Sequence, residues 1–503
     1  MSESPINALN ASNRWQKILQ YCAFIFILFG VKLALISNYA NATPFWDQWD
    51  AEAYFLYKPY LDGSLQIIDL FGLHNEHRIL TTRLLALGLL ELNQLWNPLL
   101  QMIVNAGLHV LAICLCISLM VKVTGDQYLK TLLFFSVIIF SIPYGWENTL
   151  AGFQSQFYFV LLFSILCIWF VVDNEPLSIH WWIGFFCGIF AFLSFASGFI
   201  AIAAAASIGL LQWIVNIRKT KKQLIATVLL FGLIFIGVWL TPSIPGHAVY
   251  KAASTMQFFD ALIGIFSWPV QPSFFRACFF QLPALVFTVV MFFQRPQAID
   301  KRWYLLALVV WIFGQAMSIA YGRASSYASS RYLDLFAIGI LVNFVCILSI
   351  LQNTAIKNLV VKTIFFIAWI VIVFISMGKF ANNNISGQLE LKHANSLLQE
   401  ENLKKYLMTN EIAHLKNKSL EHVPYPSAER LSLILQSENI QKILPNNIKN
   451  LDSNTAQFTK GKFDLFVKFN LKYYLEYIVL GLIFTIYLMS LTKEDKLIAV
   501  TKA

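Results

Sequence analysis

The sequence predicts an all-α polytopic membrane protein with about twelve transmembrane helices. Of its 503 residues, 58% are hydrophobic and only 13% are charged, a balance typical of membrane-embedded chains. The apolar residues also come in blocks long enough to cross the roughly 30 Å hydrocarbon core of a bilayer. The predicted spans are residues 18–36, 98–121, 131–145, 155–172, 181–196, 198–215, 223–240, 277–293, 303–320, 333–351, 359–377 and 474–491.

The orientation of the chain depends on segment 79–95, which Arg83 and Glu91 interrupt. We predict that this segment lies on the membrane surface, because counting it as a span would invert everything after it. Lys and Arg then gather in alternate loops and beside both chain ends, so the positive-inside rule predicts two cytoplasmic termini. The loop 173–180 has no Lys or Arg and disagrees, but the other loops outnumber it. Residues 18–36 are predicted to be a retained helix, too long for a cleaved signal core.

Composition also argues against several function classes. The seven cysteines lie in or against apolar segments, where they behave as small hydrophobic residues, so neither a disulfide framework nor a zinc site is predicted. The net charge of +10 fits cytoplasmic loops that face anionic membrane lipids. No nucleic-acid partner is predicted.

The polar residues that could take part in catalysis or binding all fall in loops on the predicted outer side: 38–95, 143–154, 241–276, 321–332 and 378–472. The last loop has helical patterns at 388–416 and 427–441, which predict a small periplasmic helical domain before the last span. The predicted domains are 1–377, a transmembrane core that carries the outer loop 38–95; 378–473, the periplasmic domain; and 474–503, the last helix and cytoplasmic tail.

The first outer loop opens with the run P-F-W-D-Q-W-D-A-E. Thr43 followed by Pro44 predicts a helix start, and on that helix Asp47 and Asp50 share one side. Asp47 near the helix N-terminus should stay ionised and serve as a general base or as a partner for a developing cation. Glu52 in the same run is grouped with the substrate-binding candidates. The alternative is a solvated loop whose tryptophans are interfacial anchors.

The same loop ends with His74, Asn75, Glu76, His77 and Arg78. The histidines and the glutamate could ligate a divalent metal, but an H-x-x-H spacing is a weak metal signal. The favoured interpretation is an anion site, a phosphate site above all, in which arginine supplies a planar fork of donors. A helix start at Asn75 without functional meaning is the third interpretation. No cofactor is therefore predicted, with a divalent metal as the alternative.

Arg323 and Arg331 bracket a serine-rich loop that ends at Tyr332. Two arginines with neighbouring hydroxyl groups predict a phosphate clamp, although arginines at helix ends also snorkel to lipid headgroups. His247 is predicted to be structural. Lys32, near the outer end of the first span, is predicted to snorkel or to meet a lipid phosphate.

A further outer loop contains Trp146, Glu147 and Gln154. The carboxylate and the amide could hydrogen-bond a sugar, and the indole could stack on its face. Residues of these types also occur in ordinary loops.

Together, these features resemble the GT-C class of integral membrane glycosyltransferases. The likeness rests on the W-D-Q-W-D-A-E run after the first helix, on the surface helix before the second span, on about a dozen spans and on the outer domain near the C-terminus. The resemblance implies a bacterial inner-membrane enzyme that moves a sugar from a polyprenyl phosphate to a glycan or lipid acceptor. It also implies that Asp47 is the base, with Asp50 as its rival. The W-W-D-Y-G run of oligosaccharyltransferases is absent, which argues against transfer to asparagine.

Two other function classes stay open. A polysaccharide polymerase or ligase would use the same arginines on a diphosphate-linked glycan without needing a first-loop aspartate. A transporter of lipid-linked glycans predicts ionisable residues at mid-membrane depth and an internal repeat. The polar residues instead cluster at the predicted outer edge, and no repeat is evident.

Overall fold

The computed structural model describes residues 5–352, 359–449 and 460–501, with side chains from residue 14 to residue 490 of those ranges, Leu359 excepted. Residues 1–4 and 353–358 of the predicted core, 450–459 of the predicted periplasmic domain and 502–503 of the predicted tail lie outside the described residues. The described chain is almost entirely helical. A hairpin of β1 (Leu73–His74) and β2 (His77–Arg78) is its one sheet.

The described chain has twenty α-helices. They are α1 Pro5–Tyr39, α2 Lys58–Leu61, α3 Leu80–Asn93, α4 Pro98–Thr124, α5 Leu129–Ser141, α6 Trp146–Thr149, α7 Ser155–Asp173, α8 Ile179–Ser194, α9 Phe199–Ile214, α10 Lys221–Trp239, α11 Thr255–Ser267, α12 Phe274–Gln294, α13 Arg302–Gly322, α14 Ser330–Gln352, α15 Leu359–Asn384, α16 Ser386–Thr409, α17 Ala428–Leu435, α18 Glu438–Ile443, α19 Asp464–Lys472 and α20 Tyr474–Thr501. A π-helix, Gln48–Tyr57, precedes α2.

In the described ranges, nine helical segments are long and apolar enough to cross a membrane. A tenth is added if α19 and α20, which meet at a bend of 57°, are one broken span. The chain is therefore a multi-pass all-α membrane protein, as its composition predicts. The nine segments are Arg14–Tyr39, Pro98–Thr124, Gly152–Asp173, Ala196–Ile214, Lys221–Trp239, Phe274–Gln294, Arg302–Gly322, Ser330–Gln352 and Val360–Thr409.

The predicted spans all overlap helices, but two of them fall on short ones. The 16 residues of α9 continue from a 3₁₀ turn as the 19-residue segment Ala196–Ile214. Helix α5 has 13 residues and α8 has 16. At 1.5 Å per residue they extend about 20 and 24 Å, less than the roughly 30 Å of a hydrocarbon core. The number of long apolar helices in the described chain is therefore smaller than twelve. Helix α3, on the doubtful segment 79–95, has only 14 residues and is not among the long ones.

A polar cap, here defined as residues 40–97 and 386–449, has its own hydrophobic core. Trp49 and Tyr57 from the π-helix pack with Leu403 from α16 and Leu431 from α17. All four side chains are almost fully buried. The predicted segment 378–473 therefore shares its core with the first loop.

The predicted helix start at Thr43 and Pro44 is wrong, because the helix begins at Gln48. The backbone before it is held elsewhere: the N–H of Trp46 donates to the carbonyl of Pro424 at 2.8 Å, and Trp46 has a φ of 49°. This contact between two segments of the cap thus outweighs the local helix-start signal. Asp47 consequently lies just before the first helical residue.

Candidate functional site

One cavity in the described chain has a volume of about 320 Å³ and is called the main cavity here. Hairpin residues Glu76 and His77 form one part of its wall, and Arg323, Arg331 and Tyr332, between α13 and the first turn of α14, form another. Apolar side chains of α7 and α13, and of residues 195–199 and 241–244, line much of the rest. A mostly apolar chamber with a few convergent polar groups is the usual form of a small-molecule site.

The hairpin is set by its turn and by Arg78. His74 pairs with His77 across the two strands, and Asn75 in the turn has a φ of 53°, a conformation that asparagine tolerates better than most residues. The guanidinium of Arg78 donates to the carbonyl of Phe71 at 2.8 Å, which ties the hairpin to the preceding backbone. Arg78 does not line the main cavity.

Glu76, at the tip of the hairpin, joins three chain segments. One carboxylate oxygen lies 2.7 Å from Nδ1 of His247, and the other accepts a hydrogen bond from the guanidinium of Arg323. Burial acts to raise the pKa of Glu76, but a backbone hydrogen bond and the charge of Arg323 outweigh it and keep the pKa below its usual range. The carboxylate is therefore ionised and balances the charge of Arg323. His247, predicted to be structural, is one of the two partners of Glu76 in this junction.

His77 is a half-buried side chain with a neutral ring. Its ring stacks on Phe195 with centroids 3.9 Å apart, and its Nδ1 accepts the N–H of Ala196 at 3.3 Å. Burial is the largest cause that lowers its pKa to about 3, against the opposing charge of Glu76. With Nδ1 as an acceptor, the ring proton lies on Nε2. His77 therefore contributes a hydrogen-bond donor to the cavity wall and not a charge.

Asp47 is an accessible carboxylate beside this cavity. Its Oδ1 lies 3.5 Å from Nε2 of the buried His74, while the Asp47 side chain itself is 39% exposed. Burial acts to raise its pKa, but the hydrogen bond and charge of His74 and the charge of Arg331 lower it further than burial raises it. The fold thus brings Asp47 into electrostatic range of an arginine that is 284 positions later in the sequence. This carboxylate is ionised and open to an incoming group.

Asp50 is engaged in a different contact. Its Oδ1 accepts hydrogen bonds from Nε and Nη2 of Arg430 at 3.1 and 2.7 Å, and the guanidinium stacks on Tyr54 at 3.8 Å. This ion pair fastens the π-helix to α17. Of the two candidate aspartates, Asp47 is the one whose pKa is lowered by Arg331 of the cavity wall.

Arg331 is the cavity arginine with the weakest ionic partner. Its Nη2 lies 3.6 Å from Glu147, and its side chain is 42% exposed. The other oxygen of Glu147 accepts hydrogen bonds from the Ser329 hydroxyl at 2.9 Å and from the N–H of Arg331 at 3.1 Å. Glu147 therefore holds the loop that carries Arg331, and Arg331 keeps the capacity to bind a further anion.

Glu52 lies away from the main cavity. Its carboxylate is buried and accepts hydrogen bonds from Gln48 at 3.3 Å and from Trp96 and Gln101 at 3.1 Å. Burial raises its pKa to about 7 in spite of these hydrogen bonds. The structure gives Glu52 a place in the packing between the π-helix and α4.

Trp146 and Gln154 also lie outside the cavity lining. The indole N–H of Trp146 donates to Gln388 at 3.1 Å, which links α6 to α16. The side-chain oxygen of Gln154 accepts from Gln156 at 3.0 Å. The cavity therefore brings together five of the predicted site residues, with Asp47 and His74 beside it: Glu76, His77, Arg323, Arg331 and Tyr332.

Sequence reasoning missed Asp334, which lines the main cavity from α14. Its carboxylate accepts a hydrogen bond from Asn148 at 3.0 Å. The available signal was one acidic residue in an otherwise apolar span, since ionisable residues inside membranes are costly and mark functional positions.

Among the residues whose placement is described, there is no group of three or more His, Cys, Asp or Glu side chains that could hold a metal ion. Searches for relatives give no further guide: no family model, no curated protein and no solved structure matches this chain. Fold and site together define a multi-pass helical membrane protein. It has a polar cap and a mostly apolar cavity whose wall carries a few charged side chains.

Proposed function

We propose that this chain is a GT-C-like membrane glycosyltransferase that moves a sugar from a polyprenyl phosphate to a cell-surface glycan or lipid-linked acceptor. One observation carries the proposal: an ionised, accessible Asp47, held by His74, lies in electrostatic range of Arg331 on the wall of the main cavity. The apolar remainder of that wall suits a prenyl chain. Because nucleotide sugars are absent outside the cytoplasm, a transferase acting there needs a lipid-tethered donor.

The proposed reaction is a single displacement that inverts the anomeric carbon. Asp47 takes the proton of an acceptor hydroxyl, and the hydroxyl oxygen forms a bond to the anomeric carbon. The bond between that carbon and the phosphate oxygen breaks, and polyprenyl phosphate leaves with the bonding electrons. The step requires no cofactor.

Arg331 is assigned to the leaving phosphate. The charge of Arg323 is balanced by Glu76, and Arg78 is occupied by a backbone carbonyl, whereas Arg331 has only a 3.6 Å contact to Glu147. An arginine placed in advance in a water-poor site stabilises developing negative charge more strongly than it would in water. His77 and Tyr332 add hydrogen-bond donors along the same wall.

The test compares Asp47→Asn with Asp50→Asn in the full chain. Membranes containing each variant are supplied with polyprenyl-phosphate hexoses and pentoses, and the release of polyprenyl phosphate and the sugar composition of the cell-surface glycan are measured. Loss of a general base should lower transfer by about 10²–10⁴-fold in the Asp47 variant. Asp50→Asn, whose carboxylate serves the ion pair with Arg430, should retain transfer.

Normal transfer by Asp47→Asn would refute the proposal. If Arg331→Met is inactive while Asp47→Asn is active, the result favours a polysaccharide polymerase or ligase. Accumulation of a lipid-linked glycan in vesicles without any change in glycan structure would point to a transporter.

A further inference from the structure

A second cavity, of about 270 Å³, lies on the other side of Asp334, which lines both chambers. Its wall is formed by residues 31–39 of α1, by residues 140–149 around the end of α5, and by Leu389 of α16. The volume is just below the range of drug-sized ligand pockets, so it suits a small headgroup.

Lys32 lines this second cavity and is only 7% exposed. Of the two roles predicted for Lys32, snorkelling to the membrane surface is not met, because its side chain is enclosed by protein, and contact with a lipid phosphate stays a prediction. Within the described ranges, no carboxylate oxygen lies within 4 Å of its ammonium group. Asp334 interacts with it electrostatically from farther away and is hydrogen-bonded to Asn148 at 3.0 Å.

A second donor on the same wall also lacks a partner. The buried hydroxyl of Ser141 makes no hydrogen bond in the described structure. Asn38 and Thr149 bring further polar side chains to the lining. Buried ammonium and hydroxyl groups are costly to leave unpaired, and charged groups in membrane proteins almost always face a partner. The lining therefore supplies donors, the ammonium group of Lys32 and the carboxylate of Asp334, which is hydrogen-bonded to Asn148, around a space that no protein group fills.

We propose that the second cavity binds a phosphate-type anion, with the Lys32 ammonium as counter-charge and the Ser141 hydroxyl as an additional donor. The anion is the phosphate of a membrane lipid headgroup or a phosphate group from the aqueous phase. This inference does not depend on the proposed sugar transfer, since it uses a different cavity and different residues.

Binding to the purified full chain is measured by titration calorimetry with two probes, inorganic phosphate and short-chain phosphatidic acid. The variant Lys32→Met removes the charge and retains the length of the side chain, so affinity should fall at least about tenfold. Lys32→Arg should retain binding. Ala34→Phe, which places a ring in the cavity and leaves Lys32 intact, should also abolish binding. The matched control is Lys122→Met. Lys122 is an exposed lysine in the last turn of α4, so this variant should leave the affinity unchanged.

Binding of phosphatidic acid alone identifies a lipid headgroup as the source, and binding of both probes identifies a phosphate group accessible from water. Either result supports the site. Failure of both probes to bind the wild type, or equal affinity in Lys32→Met, overturns the inference. Neither result changes the Asp47 transfer assay, so the two proposals fail separately.

Discussion

Glu52→Gln is the perturbation for which the structure gives a worked magnitude. The carboxylate is only 2% exposed and accepts hydrogen bonds from Gln48, Trp96 and Gln101, all of which are neutral donors. No cation offsets its burial within the described residues. Burial raises the pKa from 4.5 to about 7, although the hydrogen bonds lower it in part.

The sign of the pH dependence follows from this raised pKa. Between its unfolded value and about pH 7, the folded state binds a proton that the unfolded state has released. The associated stability is fully present below the unfolded pKa and is lost as the pH rises through about 7. At about 1.4 kcal/mol per pH unit, raising the pH from about 5.5 to about 8 should remove about 2 kcal/mol. Glutamine does not titrate, so Glu52→Gln should not show this loss.

The assay is the unfolding of wild type and variant in detergent at both pH values, followed by tryptophan fluorescence. The difference between the two proteins cancels groups that titrate in both. Glu175→Gln is the matched control, since its carboxylate is 81% exposed and should leave the pH dependence unchanged. Equal pH slopes for wild type and Glu52→Gln would refute the reasoning, and would mean that Glu52 reaches solvent or a ligand.

Three other perturbations have definite expected outcomes. Removing the His74 ring in His74→Ala should raise the pKa of Asp47, so the acid limb of the pH profile for polyprenyl-phosphate release should move to higher pH; an unmoved limb would contradict the pairing. Arg430→Ala should lower the unfolding free energy of the cap by about 1–2 kcal/mol, which would be seen as faster proteolysis of residues 386–449. Unchanged proteolysis would count against a stabilising role for the contact between Arg430 and Asp50. Gly198→Ala should lower the unfolding free energy by about 1–3 kcal/mol, because the added Cβ would overlap the backbone carbonyl of Ala191. A folded yield equal to that of the wild type would show that the turn can relax.

Much of the fold could be predicted from the sequence, because hydropathy over about 20 residues is a local property. Every predicted span overlaps a helix. The errors come from helix length and from long-range contacts. Segments 131–145 and 181–196 are apolar, yet their helices end after 13 and 16 residues. The helix signal at Pro44 failed because Trp46 is held by the carbonyl of Pro424, a contact that no local pattern contains.

The candidate site could be predicted only in part. Residue type and loop position pointed to Glu76, His77 and Arg331, and the fold does gather them around the main cavity. The same reasoning grouped Arg78 and Glu52 with them, and these side chains lie in other contacts. Their chemistry is that of a binding residue, but their partners are already supplied by the protein.

The sequence by itself determined the class of this protein, because the cost of moving each residue from water into lipid adds up along the chain and needs no knowledge of partners. Only the tertiary structure decided which charged groups are free. Asp47 and Asp50 are three positions apart in the sequence, yet one lies beside the main cavity and the other is bound by Arg430. The reactivity of a carboxylate depends on its burial and on the charges within a few ångströms, and those neighbours come from segments hundreds of residues away.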